Sequence, residues 1–225
     1  MTGAADDLDD LIRRVDPDRW LSSRFIGDAS ARADVIALYA FDYETGRAPR
    51  TASNPLAGEI RLVWWREVLE EIAAGGRVRS HPAAEALAAA VRGADLPLAP
   101  LERMIDARYR ELDPTPLTAG EAAELARDTA GAVAGLAALR LDSSADPKAA
   151  EPAGAAWALS RRDDVDPEEA KRHLREAAGG LGHLPVTAFP AVAHAVLARA
   201  YLRGRSPSDL GKRLRLVVAV ARGRI

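Results

Sequence analysis

The stretch Ala37-Leu-Tyr-Ala-Phe-Asp-Tyr-Glu-Thr-Gly-Arg-Ala-Pro-Arg50 decides how the chain folds. Its first half continues an apolar stripe in which Val35, Leu38, Tyr39 and Asp42 recur at helical spacing. With Asp28 or Ser30 as a cap, a helix is expected to run to about Tyr43. The second half carries Gly46 and Pro49 and is followed by Asn54, which predicts that the helix ends early.

Outward from this segment the chain reads as helix almost throughout. Ala, Leu, Arg and Glu dominate, and runs of β-branched and aromatic residues with period-two alternation are missing. Asn54 and Pro55 supply an N-cap and first helical residue for a helix through Ile60, Trp64, Val68 and Ile72 that stops at Gly75-Gly76. Further helices are expected over His81–Arg92, Pro97–Leu112, Thr118–Leu141, Ala149–Arg161, Pro167–Ala178, Thr187–Arg203 and Ser206–Arg222. Thr118 and Glu121 have capping-box spacing, and Asp142 to Glu151 is the expected flexible joint. No internal repeat is present, so the 225 residues are expected to form a single domain.

Composition narrows the function classes. A hydrophobic content of 48% with a net charge of −2 excludes wholesale disorder and points to no particular partner. The absence of cysteine excludes disulfides and thiolate metal sites and fits a cytoplasmic setting. The N-terminus has neither a basic start nor an apolar core, so no secretory signal is expected. No apolar run is long enough to span a bilayer, so any membrane contact is expected to be peripheral. That contact has one candidate place. From Arg203 to Ile225 seven Lys and Arg stand against one acid, Asp209. Arg203, Arg205, Lys212, Arg213 and Arg215 around Leu210, Leu214, Val217 and Val218 suit either an anionic membrane or a partner, or else a solvated outer face over the core. Stacking aromatics are missing there, so nucleic acid is not expected.

Several pieces in order resemble the squalene/phytoene synthase family. They are Asp18-Arg-Trp-Leu21, Arg24-Phe25, Arg32, Ala37 to Phe41, then Pro55, Glu59, Leu62, Trp65 and Leu69. Ile105-Asp-Ala-Arg108, Ala130-Gly-Ala-Val-Ala-Gly135 and Gly154-Ala-Ala-Trp-Ala-Leu159 follow, so the likeness covers most of the chain. The resemblance implies an all-α, isoprenoid synthase-like helical bundle, here truncated after the Trp157 helix. It also implies a central cavity flanked by two aspartate-rich helices. Members that catalyse join two prenyl diphosphates head to head, with carboxylates one helical turn apart holding Mg²⁺ against the diphosphate.

On that pattern the first aspartate pair falls five and nine residues after Phe41, at Gly46 and Arg50. A glycine offers no ligand, and an arginine repels a cation. The second pair would follow the Trp157 helix, where Ser160-Arg-Arg-Asp-Asp-Val-Asp-Pro-Glu-Glu169 passes straight into another helix and the family's loop looks deleted. Asp163, Asp164 and Asp166 are the one cluster that would rescue a metal site, but Asp166 before Pro167-Glu-Glu reads better as a helix start. The run Asp6-Asp7-Leu-Asp9-Asp10 reads as a solvated acidic helix start rather than a ligand set. His81, His173, His183 and His194 show no ligand spacing.

The expected remnant cavity is lined by Tyr39, Asp42, Tyr43, Glu59, Trp65 and Trp157. Within it Asp42 either pairs with Glu59 across neighbouring helices or makes a structural salt bridge to Arg19, Arg61 or Arg66. Trp64 and Trp65, as neighbours, point to different sides of their helix.

The expected function is therefore a non-catalytic protein of this type with a binding or assembly role, needing no cofactor or metal. The stretch Tyr39 to Glu44 and the Trp-bearing helix after it are similar to a branch with degraded aspartate motifs that includes the mitochondrial complex I assembly factor. This implies a part in assembling a membrane respiratory complex. The alternatives are a Mg²⁺-dependent prenyl diphosphate transferase using Asp42, Glu59, Asp163 or Asp164, and a prenyl-lipid binder. A protein partner or a prenyl lipid is the expected ligand.

Overall fold

The computed structural model describes residues 4–51 and 54–225, with the side chains of residues 4–6 outside that description. The described chain is α-helical with 3₁₀ and π segments and without strands. The helices are α1 (Ala4–Val15), α2 (Pro17–Ser23), α3 (Ala29–Arg50), α4 (Pro55–Ala73), α5 (Pro82–Ala94) and α6 (Ala99–Tyr109). They continue as α7 (Ala119–Ala126), α8 (Ala132–Leu141), α9 (Pro147–Leu159), α10 (Pro167–Gly180), α11 (Ala198–Tyr201) and α12 (Asp209–Arg222).

Helix α3 is the axis of the bundle because its apolar stripe widens until every face is covered. Val35 to Phe41 are buried without interruption, and α1, α4, α5, α6 and α8 pack around them. Each buried Leu or Phe there contributes roughly 1.5–3 kcal/mol. One cluster of buried apolar side chains extends from Leu8 to Ala219. Phe41 and Trp65 meet edge to face at 5.3 Å, joining α3 to α4 within it.

Local signals fix most helix starts. The Asn54 side chain accepts from Ala57 N at 2.9 Å, and Thr118 and Glu121 form the full capping box. Asp166 caps α10 by accepting from Glu168 N at 2.9 Å, while Asp164 is bound to Arg162, so this acidic cluster builds a helix start. Within the N-terminal acidic run, Asp9 fastens α1 to α2 by accepting from Trp20 Nε1 at 2.9 Å and Arg24 Nη2 at 2.5 Å. The side chain of Asp6 lies outside the described residues.

Four expectations are corrected. Helix α3 does not end near Tyr43; it continues through Gly46 and Pro49 to Arg50. Pro49 removes one backbone donor only in the last turns, and Thr45 Oγ1 donates to Phe41 O at 2.9 Å inside the same stretch. The span 118–141 is not one regular helix, because residues 127–131 form a π turn between α7 and α8. The turn meets α9 at Gly154, where a Cβ would lie 2.2 Å from the Ala130 carbonyl oxygen, so only glycine permits this contact. Residues 187–203 are mostly 3₁₀, over Val186–Ala191 and Ala193–Leu197, before the short α11. Small side chains from Ala188 to Ala195 are buried on all sides, and Pro190 interrupts the backbone ladder. The last helix begins two residues late, capped by Ser208 instead of Ser206.

Candidate functional site

The site begins at a two-helix corner. Asp16 caps α2 by accepting from Arg19 N at 3.2 Å, and its other oxygen accepts from Arg19 Nε. Arg19 is thereby held against its own helix start and sends its guanidinium inward, between the Tyr39 ring at 4.9 Å and the Trp157 ring at 5.0 Å. There its Nη2 meets Asp42 Oδ2 at 2.7 Å. The other Asp42 oxygen accepts from Arg108 Nη2 at 2.6 Å, and Arg108 Nη1 reaches Glu111 at 2.7 Å.

The result is a continuous chain of charge, Asp16 to Arg19 to Asp42 to Arg108 to Glu111, drawing on α2, α3 and α6. Burial on its own would raise the Asp42 pKa, but Arg19 and Arg108 outweigh it and hold the carboxyl below its ordinary 3.8, so Asp42 is ionised. Burial likewise works against both arginines, and the neighbouring carboxylates more than restore them, raising each above its usual value. Burial pushes the Tyr39 phenol up, and its hydroxyl has no partner among the described residues.

Gly46 stands one helical turn after Asp42. A Cβ placed there would lie 3.2 Å from Arg108 Cζ and Nη2 and 3.2 Å from Arg50 Nη2. The missing side chain is thus the space in which the Arg108 head packs.

These groups border a cavity of about 330 Å³. Its wall carries five arginines, Arg19, Arg50, Arg108, Arg161 and Arg162, against three carboxylates, Asp16, Asp42 and Glu111. Each carboxylate is already paired with Arg19 or Arg108, so the cavity attracts anions and disfavours cations. Among the described residues no cluster of three ligating side chains suited to a metal occurs. Trp157 forms one wall, lying between Arg19 and Arg161, whose Cζ is 4.6 Å from its ring centroid.

Behind Trp157 a second buried carboxylate, Asp18, gathers a different set of donors. Trp157 Nε1 donates to it at 3.1 Å, Tyr201 Oη at 2.5 Å and Lys212 Nζ at 2.8 Å. Burial raises the Asp18 pKa, but these three hydrogen bonds prevail and lower it. His194 packs edge-on to Trp157 at 5.1 Å. Burial, helped by the nearby Arg19 charge, depresses its pKa to about 3, so it is neutral.

The structure brings together Asp42, Tyr43, Trp157 and Arg50 at the cavity, with Tyr39 buried beneath Arg19. Two expected lining residues are elsewhere. Glu59 is exposed on α4 and is not paired with Asp42; the Asp42 partners are Arg19 and Arg108, while Arg66 pairs with Asp106 and Arg61 with Thr51. Trp65 sits in the core against Phe41 and edges a separate surface cleft with Trp64 and His81. Among the basic residues near the C-terminus, Arg203, Arg205, Arg213 and Arg215 are exposed. Lys212 is not: it is turned inward and consumed by Asp18.

Sequence reasoning missed Arg108, Glu111, Asp16 and the Asp18 group. For Arg108 a signal existed. Leu101, Met104, Ile105 and Arg108 share one helical face and all are buried, so a cation stands on an apolar stripe just as Asp42 does on α3. The Asp18, Tyr201 and Lys212 convergence joins residues nearly 200 positions apart and left no local pattern.

The squalene/phytoene synthase family model matches residues 12–161. No curated protein matches the sequence. Among solved structures, a ligand-bound dehydrosqualene synthase superposes with a TM-score of 0.79 at 14% identity, over 97% of this chain and 95% of that one. The squalene synthase HpnC from Alicyclobacillus acidocaldarius gives 0.67 at 18% identity, over 98% and 94%. At such identities these likenesses speak for the fold, an all-α isoprenoid synthase-like bundle.

Proposed function

Because this chain belongs to the squalene/phytoene synthase family, we propose that it is a non-catalytic member that acts by binding, in the assembly of a membrane respiratory complex. The observation that carries the non-catalytic reading is the double arginine clamp on Asp42. Mg²⁺ chemistry requires free carboxylates converging on the cavity. Asp42 is neutralised by Arg19 and Arg108, Gly46 offers no ligand and admits the Arg108 head, and Arg50 adds a further positive charge. The residues present do not fit the metal.

The assembly part of the reading rests on the likeness of Tyr39 to Glu44 and of α4 to the degraded branch of the family. It is supported by an exposed apolar strip on α4, formed by Leu56, Ile60 and Val63 and rimmed by Glu59, Glu67 and Glu70, of the kind that a protein partner covers.

Two measurements test the two parts separately. Purified protein incubated with farnesyl or geranylgeranyl diphosphate and Mg²⁺ is expected to give no product and no metal-dependent diphosphate binding; turnover would refute the non-catalytic reading. Removal of the protein from cells that express it is expected to lower the amount of assembled respiratory complex on native gels. An unchanged complex, or a prenyl lipid found bound to the purified protein by mass spectrometry in place of a respiratory subunit, would overturn the assembly role.

A further inference from the structure

Helix α12 is well formed and fixed in its rotation. Ser208 caps its start, Gly223 closes its end with φ +61°, and three inward contacts hold it, namely Leu216, Ala219 and the Lys212 bond to Asp18. The opposite side carries Leu210, Leu214, Val217 and Val218, which are 77%, 62%, 50% and 40% exposed. At 3.6 residues per turn these four occupy one arc, with Arg213 on one flank and Arg215 and Arg222 on the other. The expected solvated outer face is therefore apolar along its centre and cationic along both edges.

Beside the strip lies a cleft of about 580 Å³ whose wall includes Arg199, Arg215, Arg222 and Arg224 and no acidic side chain, with Arg199 donating to the Ile225 oxygen at 3.3 Å. A second copy of this chain is a poor occupant, since pairing two such faces sets arginine rows against each other. The α4 strip is bordered instead by Glu59, Glu70 and Glu67, the last paired with Arg79. The border of the α12 strip is cationic on both sides, whereas that of the α4 strip is mixed.

We infer that α12 docks the protein in the plane of an anionic bilayer surface. Leu210, Leu214, Val217 and Val218 enter the boundary between headgroups and acyl chains, and Arg213, Arg215 and Arg222 meet lipid phosphates, with the arginine cleft receiving a headgroup. The inference does not depend on the assembly role, and no helix among the described residues is long and apolar enough to cross a membrane.

The cysteine-free chain permits a clean test. A single Val217→Cys carrying an environment-sensitive fluorophore, with Leu56→Cys on α4 as its control, is mixed with vesicles of phosphatidylcholine alone or with added phosphatidylglycerol. The Val217 probe is expected to shift to the blue and the protein to float only with the phosphatidylglycerol vesicles, with the Leu56 probe unmoved. Arg213→Gln and Arg215→Gln are expected to weaken binding about fivefold each, and added salt to act in the same direction. Leu210→Ser with Leu214→Ser is expected to weaken it by about tenfold or more. All these side chains are exposed, so thermal melting should stay unchanged and a folding defect is distinguishable. Failure to float with anionic vesicles, an equal response of both probes, or a concentration-dependent dimer abolished by the double serine variant would overturn the inference.

Discussion

Asp42 and Asp18 are both buried and both held ionised, yet they are satisfied by different chemistry. Asp42, at the cavity wall, is gripped by two guanidinium groups from α2 and α6. Asp18, behind Trp157, is bound by an indole, a phenol and an ammonium from α9, α11 and α12. The first arrangement turns an acid that faces a cavity into the middle of a continuous charge chain. The second uses an acid as a staple that ties the last two helices to the front of the molecule. A buried carboxylate in this fold thus takes its role from the charges of its partners, and those partners also decide what its loss leaves behind.

The largest effect is expected at Asp42. Asp42→Ala would leave Arg19 with Asp16 alone and Arg108 with Glu111 alone, both arginines almost wholly buried, and should cost about 3–5 kcal/mol in denaturant unfolding, with an apolar Arg108→Met partly restoring the loss. A loss well under that range would mean that water reaches the clamp, and the contrast with Asp18 would collapse. Asp18→Asn ranks next, at about 2 kcal/mol, because its amide oxygen still accepts from Trp157 and Tyr201 while its NH2 replaces the oxygen that accepted from Lys212. Lys212 stands near the surface and can turn outward, unlike the two arginines. Loosening should concentrate in α12, which amide hydrogen exchange would reveal.

Much of the fold was legible because helix signals are local. The caps at Asn54 and Thr118 and the apolar stripe from Val35 to Phe41 need only a few neighbouring residues to be read. The 3₁₀ run over Val186–Ala191 and Ala193–Leu197 was not, since small apolar residues bury equally well in either helix type and packing decides. At the site, Asp42 and its bond to Arg19 were within reach because both lie in short motifs near the start of the chain. Arg108 was half visible as a cation on an apolar face, and pairing the two misfit charges of α3 and α6 would have found it. Trp65 and Glu59 were misplaced because helical spacing gives a face but not which cavity that face meets.

Acid acts on the two clusters through His194, which lies near both Arg19 and Asp18. Its folded pKa is about 3 against an ordinary 6.5, so the unfolded chain takes up a proton that the folded one refuses. Stability is therefore full above pH 6.5 and falls as pH drops toward 3, with a slope approaching about 1.4 kcal/mol per pH unit. His173, also depressed by burial, adds in the same sense. Asp42 and Asp18, whose folded values lie below 3.8, contribute stability that is lost only at more acid pH. Urea unfolding from pH 7 to 4 should show His194→Gln flattening most of this slope, whatever its effect at neutral pH. An unaltered slope would assign the acid sensitivity to His173 instead.

The smallest effect is expected where an arginine meets an aspartate in the open. Arg66 and Asp106 join α4 to α6 much as Arg108 and Asp42 join α6 to α3, with the same two charged groups in direct contact. Arg66 and Asp106 are substantially solvated, so water already satisfies each partner when the other is removed. Arg66→Ala should cost well under about 1 kcal/mol, and added salt should shrink even that. Burial, not the pairing itself, would then account for the difference from Asp42→Ala. If instead Arg66→Ala proved as damaging as Asp42→Ala, the weight placed on the buried clamp would have to move to the packing of α6, the one helix that both pairs share.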